Sequence, residues 1–209
     1  MDVAQLATVD QYILRPRDFD DRWIHDDMAR MEANGAILRV ARGAYVLVPE
    51  AQRRPNPAWR PNIERVALGL AAATYGRNQV ALIGPSAARA HGAIPRAAGV
   101  ATVSYPSTRP RDIETIVGTV RTYRRTIDKM DVVRVSNDVV NGLVTSREMT
   151  MLDLVSSAPK WPLLDSTRLE ALRLLSTRVD WDLVDELASS YRKKSAQRRL
   201  GELLEIEHP

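Results

Sequence analysis

The side chains able to do chemistry are few in type, and their spacing excludes more than it selects. The sequence of 209 residues contains no cysteine, which removes thiolate nucleophiles, disulfides and Cys-based zinc or iron–sulfur sites. Metal ligation would fall to carboxylates and to His25, His91 and His208, which stand far apart and form no paired spacing such as H-E-x-x-H. No metal site is expected. Gly84-Pro85-Ser86 reads as the start of a short helix, with Ser86 as its N-cap and free N–H groups that could hold an anion. No Gly-Lys-Ser/Thr follows it, and no Gly-x-Gly-x-x-Gly occurs, so neither common nucleotide loop is present. His91 suits the end of that helix better than the role of a base. No nucleophile elbow, kinase catalytic loop or spaced carboxylate pair is legible, so no catalytic residue is indicated.

What remains is cationic. Arg121, Tyr123 and Arg125 alternate along one stretch and so share one side of a strand. Arg with Tyr suits a nucleic-acid or protein interface, while a solvated edge strand protected by charge gives the same pattern. A second cluster, Arg192, Lys193 and Lys194 with Arg198 and Arg199, falls near the end of a helix, where cations favour the dipole. Residues 61–130 carry ten basic and four acidic side chains, whereas residues 1–60 carry nine of each. That surplus favours an acidic partner, either nucleic acid or an acidic protein face.

Hydrophobic spacing indicates the elements that must position these groups. Val3, Leu6, Ala7, Ile13 and Leu14 suit one amphipathic helix, and Pro16 starts a short second one. A third runs from Arg22 to Asn34 with Ile24, Met28 and Met31 on its inner face, and stops at Asn34-Gly35. Two β-prone runs, Ala36 to Val40 and Ala44 to Val48, flank Arg42-Gly43 as a hairpin. Three helices and a hairpin are the order of a winged helix-turn-helix. In that arrangement Arg22, His25 and Arg30 on the outer face of the third helix, with Arg39 and Arg42 on the wing, are the DNA-binding candidates. Asp26 and Asp27 oppose a polyanion, so a winged module kept for protein contact or dimerisation is the alternative.

The expected fold class is α+β: a winged helix over residues 1–50, a proline-rich linker over 51–61, and an α/β body over 62–209 with C-terminal helices at about 146–206. Within the body, Val80 to Ile83 reads as a buried strand, and Val100 to Tyr105, Ile116 to Thr126 and Val132 to Val135 as further strands of a small mixed sheet. Asn141-Gly142 offers a turn between Val139-Val140 and Leu143-Val144. Thr145 to Glu148 and Thr167 to Glu170 match capping boxes, Asp180 caps a later helix, and Leu200, Leu203 and Leu204 stripe a final one. The acidic Met1-Asp2 start lacks a basic leader, and the weakly polar run Val66 to Tyr75 is too short to span a bilayer. A cytoplasmic location with no membrane partner is expected.

Four stretches resemble the AbiEi-type antitoxins when taken in order. They are Arg17-Asp18-Phe19 ahead of the helix ending Met31-Glu32-Ala33-Asn34-Gly35; the wing from Leu38 to Tyr45; Gly84-Pro85-Ser86-Ala87-Ala88-Arg89-Ala90-His91-Gly92; and Arg147-Glu148-Met149-Thr150-Met151-Leu152-Asp153-Leu154. Mycobacterial members of the group are nearest in length and order, and beyond Leu154 the chain matches only in helical character. The resemblance implies a winged helix that represses its own operon by binding promoter DNA, and a C-terminal part that counters a nucleotidyltransferase-like toxin. Neutralisation by contact would need no cofactor. An enzymatic alternative would phosphorylate a toxin hydroxyl with ATP and Mg, a reaction that chiefly needs positioning and charge stabilisation. A stand-alone winged-helix regulator is the third reading. None of the three sets an oligomeric state.

Overall fold

The computed structural model describes residues 12–20, 22–95, 99–107, 109, 111–156 and 161–204. Val3, Leu6 and Ala7 of the expected first helix lie outside these residues. Ile13 and Leu14 are extended instead of helical: Leu14 exchanges both backbone hydrogen bonds with Tyr45, at 2.8 and 2.9 Å. Successive residues of an extended chain point to opposite faces. Here that sends Leu14 and Ile13 into two different apolar clusters, each side chain 1% exposed.

Pro16–Asp18 forms a single 3-10 turn, and helix α1 follows at Ile24–Ala33 with Ile24, Met28 and Met31 buried. Strands β1 (Ile37–Ala41) and β2 (Ala44–Leu47) then pair antiparallel around Arg42-Gly43, as the alternation requires. Among the described residues this is the helix and wing of a winged helix-turn-helix. The residues after β2 do not hang free. Gly35, which ends α1 at φ 71°, lies so close to the Arg54 backbone that a Cβ would overlap its carbonyl, and Pro57 and Pro61 are buried.

Helix α2 (Ile63–Tyr75) is capped by Asn62, whose side chain accepts from the Glu64 N–H at 2.9 Å. Helix α3 (Gly84–Ala90) is a short buried segment. Strands β3 (Val100–Tyr105), β4 (Asp112–Thr115) and β5 (Gly118–Arg124) form a sheet in the order β3-β5-β4, parallel between β3 and β5 and antiparallel between β5 and β4. Strands β6 (Val132–Ser136) and β7 (Asn141–Thr145) form an antiparallel pair. The sheet is therefore mixed, as expected, but β4 had no sequence signal: Asp-Ile-Glu-Thr is poor in strand formers and holds its place by pairing. Residues 80–83 make no regular strand. Leu82 instead bridges β3 on one side and β7 on the other: its own backbone bonds Leu143 and Thr145 of β7, while the flanking Ala81 carbonyl and Ile83 N–H bond Ser104 and Thr102 of β3.

Three expected local signals resolve differently. Asn141-Gly142 begins β7, and the turn falls earlier, where the Asn137 carboxamide oxygen accepts from the N–H groups of Val139 and Val140. Helix α4 (Arg147–Ser156) is capped by Ser146, whose hydroxyl accepts from the Met149 N–H. Thr145 bonds Thr150, and Glu148 reaches the Asp180 N–H, so the predicted box does not close. Helix α5 (Asp165–Ser176) begins two residues before Thr167 and has no side-chain cap. By contrast, Asp180 caps α6 (Trp181–Ser190), accepting from Asp182 and Leu183. Helix α7 (Lys194–Leu204) buries Ala196, Leu200 and Gly201, leaving Leu203 at 37% exposure.

The main core lies between α4–α7 and one face of the sheet, and a second cluster fills the space between α2, α3 and the other strands. The winged segment has its own small core, with Leu14, Met28 and Ile37 at its centre. The apolar interior does not stop at the proline-rich connection, however. Ile13, Val40, Ala44 and Val46 pack with Val66 of α2, and the Ile116 N–H donates to the Val40 carbonyl at 3.0 Å. Gly35→Ala is expected to lower unfolding free energy by at least about 2 kcal/mol, because positive φ and overlap with the Arg54 backbone must both be relieved. A wild-type urea midpoint for this variant would contradict that packing.

Candidate functional site

Two cationic surfaces emerge, with no lining residue in common. On the winged segment, Arg22, His25, Arg30, Arg39 and Arg42 are all exposed. Arg22, His25 and Arg42 come together with Arg17 and Arg111 along a groove of about 930 Å³ between the wing and β4. Arg30 and Arg39 stand outside it, and Arg30 lies 3.6 Å from Asp27, which offsets its charge. Asp112 and Glu114 form the acidic part of the far wall. Trp23, which no spacing in the sequence marks, is 57% exposed at the start of α1, with the Arg22 guanidinium 4.6 Å above its ring. An Arg stacked on an aromatic face is held in place without losing its charge.

Ser86 cannot hold an anion where it sits. It is inside α3 and buried; its hydroxyl accepts from the Thr102 N–H at 2.9 Å, its own N–H donates to the Thr102 hydroxyl, and Ile83 occupies the cap position. Its role is to fasten α3 to β3. Just beyond that helix, His91 is largely enclosed, and its Nε2 donates to the Thr145 carbonyl at 2.7 Å. Burial outweighs this bond and holds the His91 pKa below its ordinary 6.5.

The strand bearing Arg121, Tyr123 and Arg125 is the centre of its sheet, not an edge. Arg121 is clamped by Asp112 of β4, with its Nη2 at 2.8 Å from the carboxylate. Tyr123 leans on Trp161, ring centroids 4.7 Å apart. Arg125, just past β5, turns inward: its Nη1 bonds Asp153 at 2.6 Å and its Nη2 meets the Met149 sulfur at 3.3 Å. Asp153 is 1% exposed and takes a second cation, Lys193, at 3.0 Å, while the same ammonium also bonds the Ser156 hydroxyl. The Trp161 indole N–H donates to the Asp153 carbonyl and its ring lies flat against Gly84, where φ is 52° and a Cβ would touch the indole.

The second surface follows from this knot. Tyr123, Arg125, Arg192 and Lys193, drawn from two separate sequence clusters, line one cleft of about 650 Å³, together with Arg124, Lys129 and Trp161. Lys194, Arg198 and Arg199 are exposed on α7 but do not line it, and Arg198 lies 3.8 Å from Glu202. Asp153, Trp161, Arg124 and Lys129 were not singled out by sequence. The one available signal was an acid amid the apolar run of α4, where a buried charge requires a partner.

The cleft sits within a recognisable segment: the AbiEi antitoxin C-terminal domain matches residues 79–206, well over half of the chain. The chain belongs to this antitoxin family. The antitoxin domain thus runs from the Leu82 bridge to the final helix and contains the cleft whole, while the winged segment and α2 precede it. Membership implies a cognate toxin as partner. Among solved structures, the RV2827C protein from Mycobacterium tuberculosis shares the fold at a TM-score of 0.60 and 13% identity, over 99% of this chain and 80% of that one. The antibiotic-resistance factor ANT(2'')-Ia aligns at a TM-score of 0.44 and 15% identity, over 64% of this chain and 92% of its own, too slight to define a common fold. No curated protein matches the chain. Among the described residues, no helix is long and apolar enough to cross a membrane, and no group of three or more His, Asp or Glu is placed to hold a metal ion.

Two outcomes follow from the buried groups of the antitoxin domain. Asp153→Ala strands Arg125 and Lys193 against each other and is expected to cost about 3–5 kcal/mol by urea unfolding, the range for breaking a buried pair; a loss under about 1 kcal/mol would contradict the pairing. Because the His91 pKa is depressed in the fold, the unfolded chain binds a proton that the native state refuses as pH falls through 6.5. Stability is therefore expected to fall over that window, and His91→Gln to flatten the slope between about pH 7.5 and pH 5.5.

Proposed function

We propose that this antitoxin neutralises a nucleotidyltransferase-like toxin and, through its winged segment, binds the promoter of its own operon as an autorepressor. The observation that carries the DNA half is the groove in which Arg22 and His25 of the helix side face Arg42 of the wing. A helix in the major groove reads bases while wing cations on phosphates hold the register. Asp26 and the Asp27–Arg30 pair leave the α1 face almost neutral. Phosphate binding therefore falls to the flanks, where Arg17, Arg22, Arg42 and Arg111 line the groove and Arg39 stands exposed beside it. The toxin half is supported by family membership, and the class of toxin by the resemblance of the four stretches.

Arg39→Ala with Arg42→Ala is expected to weaken binding to the operon promoter and to flatten the log–log salt dependence by about 0.9 for each phosphate the variant no longer neutralises. In cells coexpressing the toxin encoded beside the antitoxin gene, the same variant is expected to rescue growth as the wild type does. Absence of any mobility shift at low salt removes the DNA half; failure of the wild type to rescue removes the toxin half.

A further inference from the structure

The cleft of the antitoxin domain carries more positive charge than its surroundings use. Its floor is balanced in part, since Asp153 is shared between Arg125 and Lys193. Its rim is not: Arg124, Lys129 and Arg192 are exposed, line the same cleft, and have no acidic partner among the described residues, and no carboxylate lines the cleft with them. The backbone adds to this imbalance. Helix α7 opens with Lys194 and has no acid in its first turn, so cations gather where the helix dipole is already positive. The opposing end of α6 is occupied, because the Leu187 and Ala188 carbonyls accept from the N–H groups of Tyr191 and Lys193. Arg192, moreover, is held at φ 55°, a conformation rare outside glycine that persists where surrounding structure imposes it.

We propose that this cleft is the binding site for a small phosphate-bearing ligand, gripped by Arg124, Lys129 and Arg192 and seated on Arg125 and Lys193. Charge-assisted hydrogen bonds from arginine to phosphate are the strong ones available to such a surface. The volume, about 650 Å³, is within the range of small-molecule sites. Asp153 acts as a positioning residue, fixing the two floor cations in depth and direction. The half-buried Tyr191 on the wall supplies an aromatic surface against which a nucleoside would lie. This site stands apart from the groove assigned to promoter DNA, and its failure would leave that assignment untouched.

Isothermal titration calorimetry of the full-length protein with inorganic pyrophosphate and with ADP, at constant ionic strength, tests the site. Saturable binding at one site per chain is expected. Equal affinities identify the phosphates alone as the recognised chemistry, and tighter ADP binding adds the nucleoside. Arg192→Gly is the informative variant, since glycine takes the φ of 55° without strain. It is expected to keep or raise thermal stability while weakening binding about tenfold. Arg124→Ala with Lys129→Ala should weaken binding further, and Arg199→Ala, outside the cleft, should leave it unchanged. No saturable binding of either probe, or wild-type affinity in both the Arg192→Gly and the Arg124/Lys129 variants, overturns the proposal.

Discussion

A carboxylate cannot be taken out of water alone, and the C-terminal half of this protein is organised around one that has been. Asp153 sits within α4 among the buried apolar side chains of Met149, Leu152, Leu154 and Val155, and its charge has to be met by cations brought from elsewhere. Arg125 comes from the end of the central strand and Lys193 from the turn between the last two helices. Three elements distant in sequence thus converge on two oxygens. The backbone carbonyl of the same residue holds the Trp161 indole, which in turn packs on Gly84 at the start of α3 and against Tyr123 of the sheet. The two ion pairs tie the end of β5 and the α6–α7 turn to α4.

The winged segment obeys a different constraint. It is small, with a core of its own too slight to stand as a large domain would, and it leans on the body through the cluster joining Ile13, Val40 and Val46 to Val66. That seam sets how the wing faces β4, and so creates the groove in which Arg22, His25, Arg42 and Arg111 meet. A ligand bound along the groove would touch both parts. The two cationic surfaces share no lining residue, so the charges of one are not spent on the other.

Much of this was legible in the linear chain, because the signals concerned are local. The period of Ile24, Met28 and Met31, the Asn34-Gly35 stop, the Arg42-Gly43 turn and the Asp180 cap each depend on residues within a few positions of one another, and each appears where the spacing puts it. Where local signals failed, a tertiary demand had overridden them: Leu14 is pulled into an edge pairing with Tyr45, Ser86 turns from a cap into a buried fastener of α3 to β3, and Asn141-Gly142 is recruited into β7.

Neighbouring residues were thus enough to specify most kinds of element, their order, the wing and the two clusters of cations, since period, capping and turn chemistry are written within a few positions. It took the folded chain to bring Tyr123 and Arg125 into one cleft with Arg192 and Lys193, to make β5 central so that Arg121 is neutralised by Asp112, and to leave Lys194, Arg198 and Arg199 outside. Partners far apart along the chain are chosen by strand order and by the need to neutralise a buried charge, and neither leaves a periodic mark on the sequence.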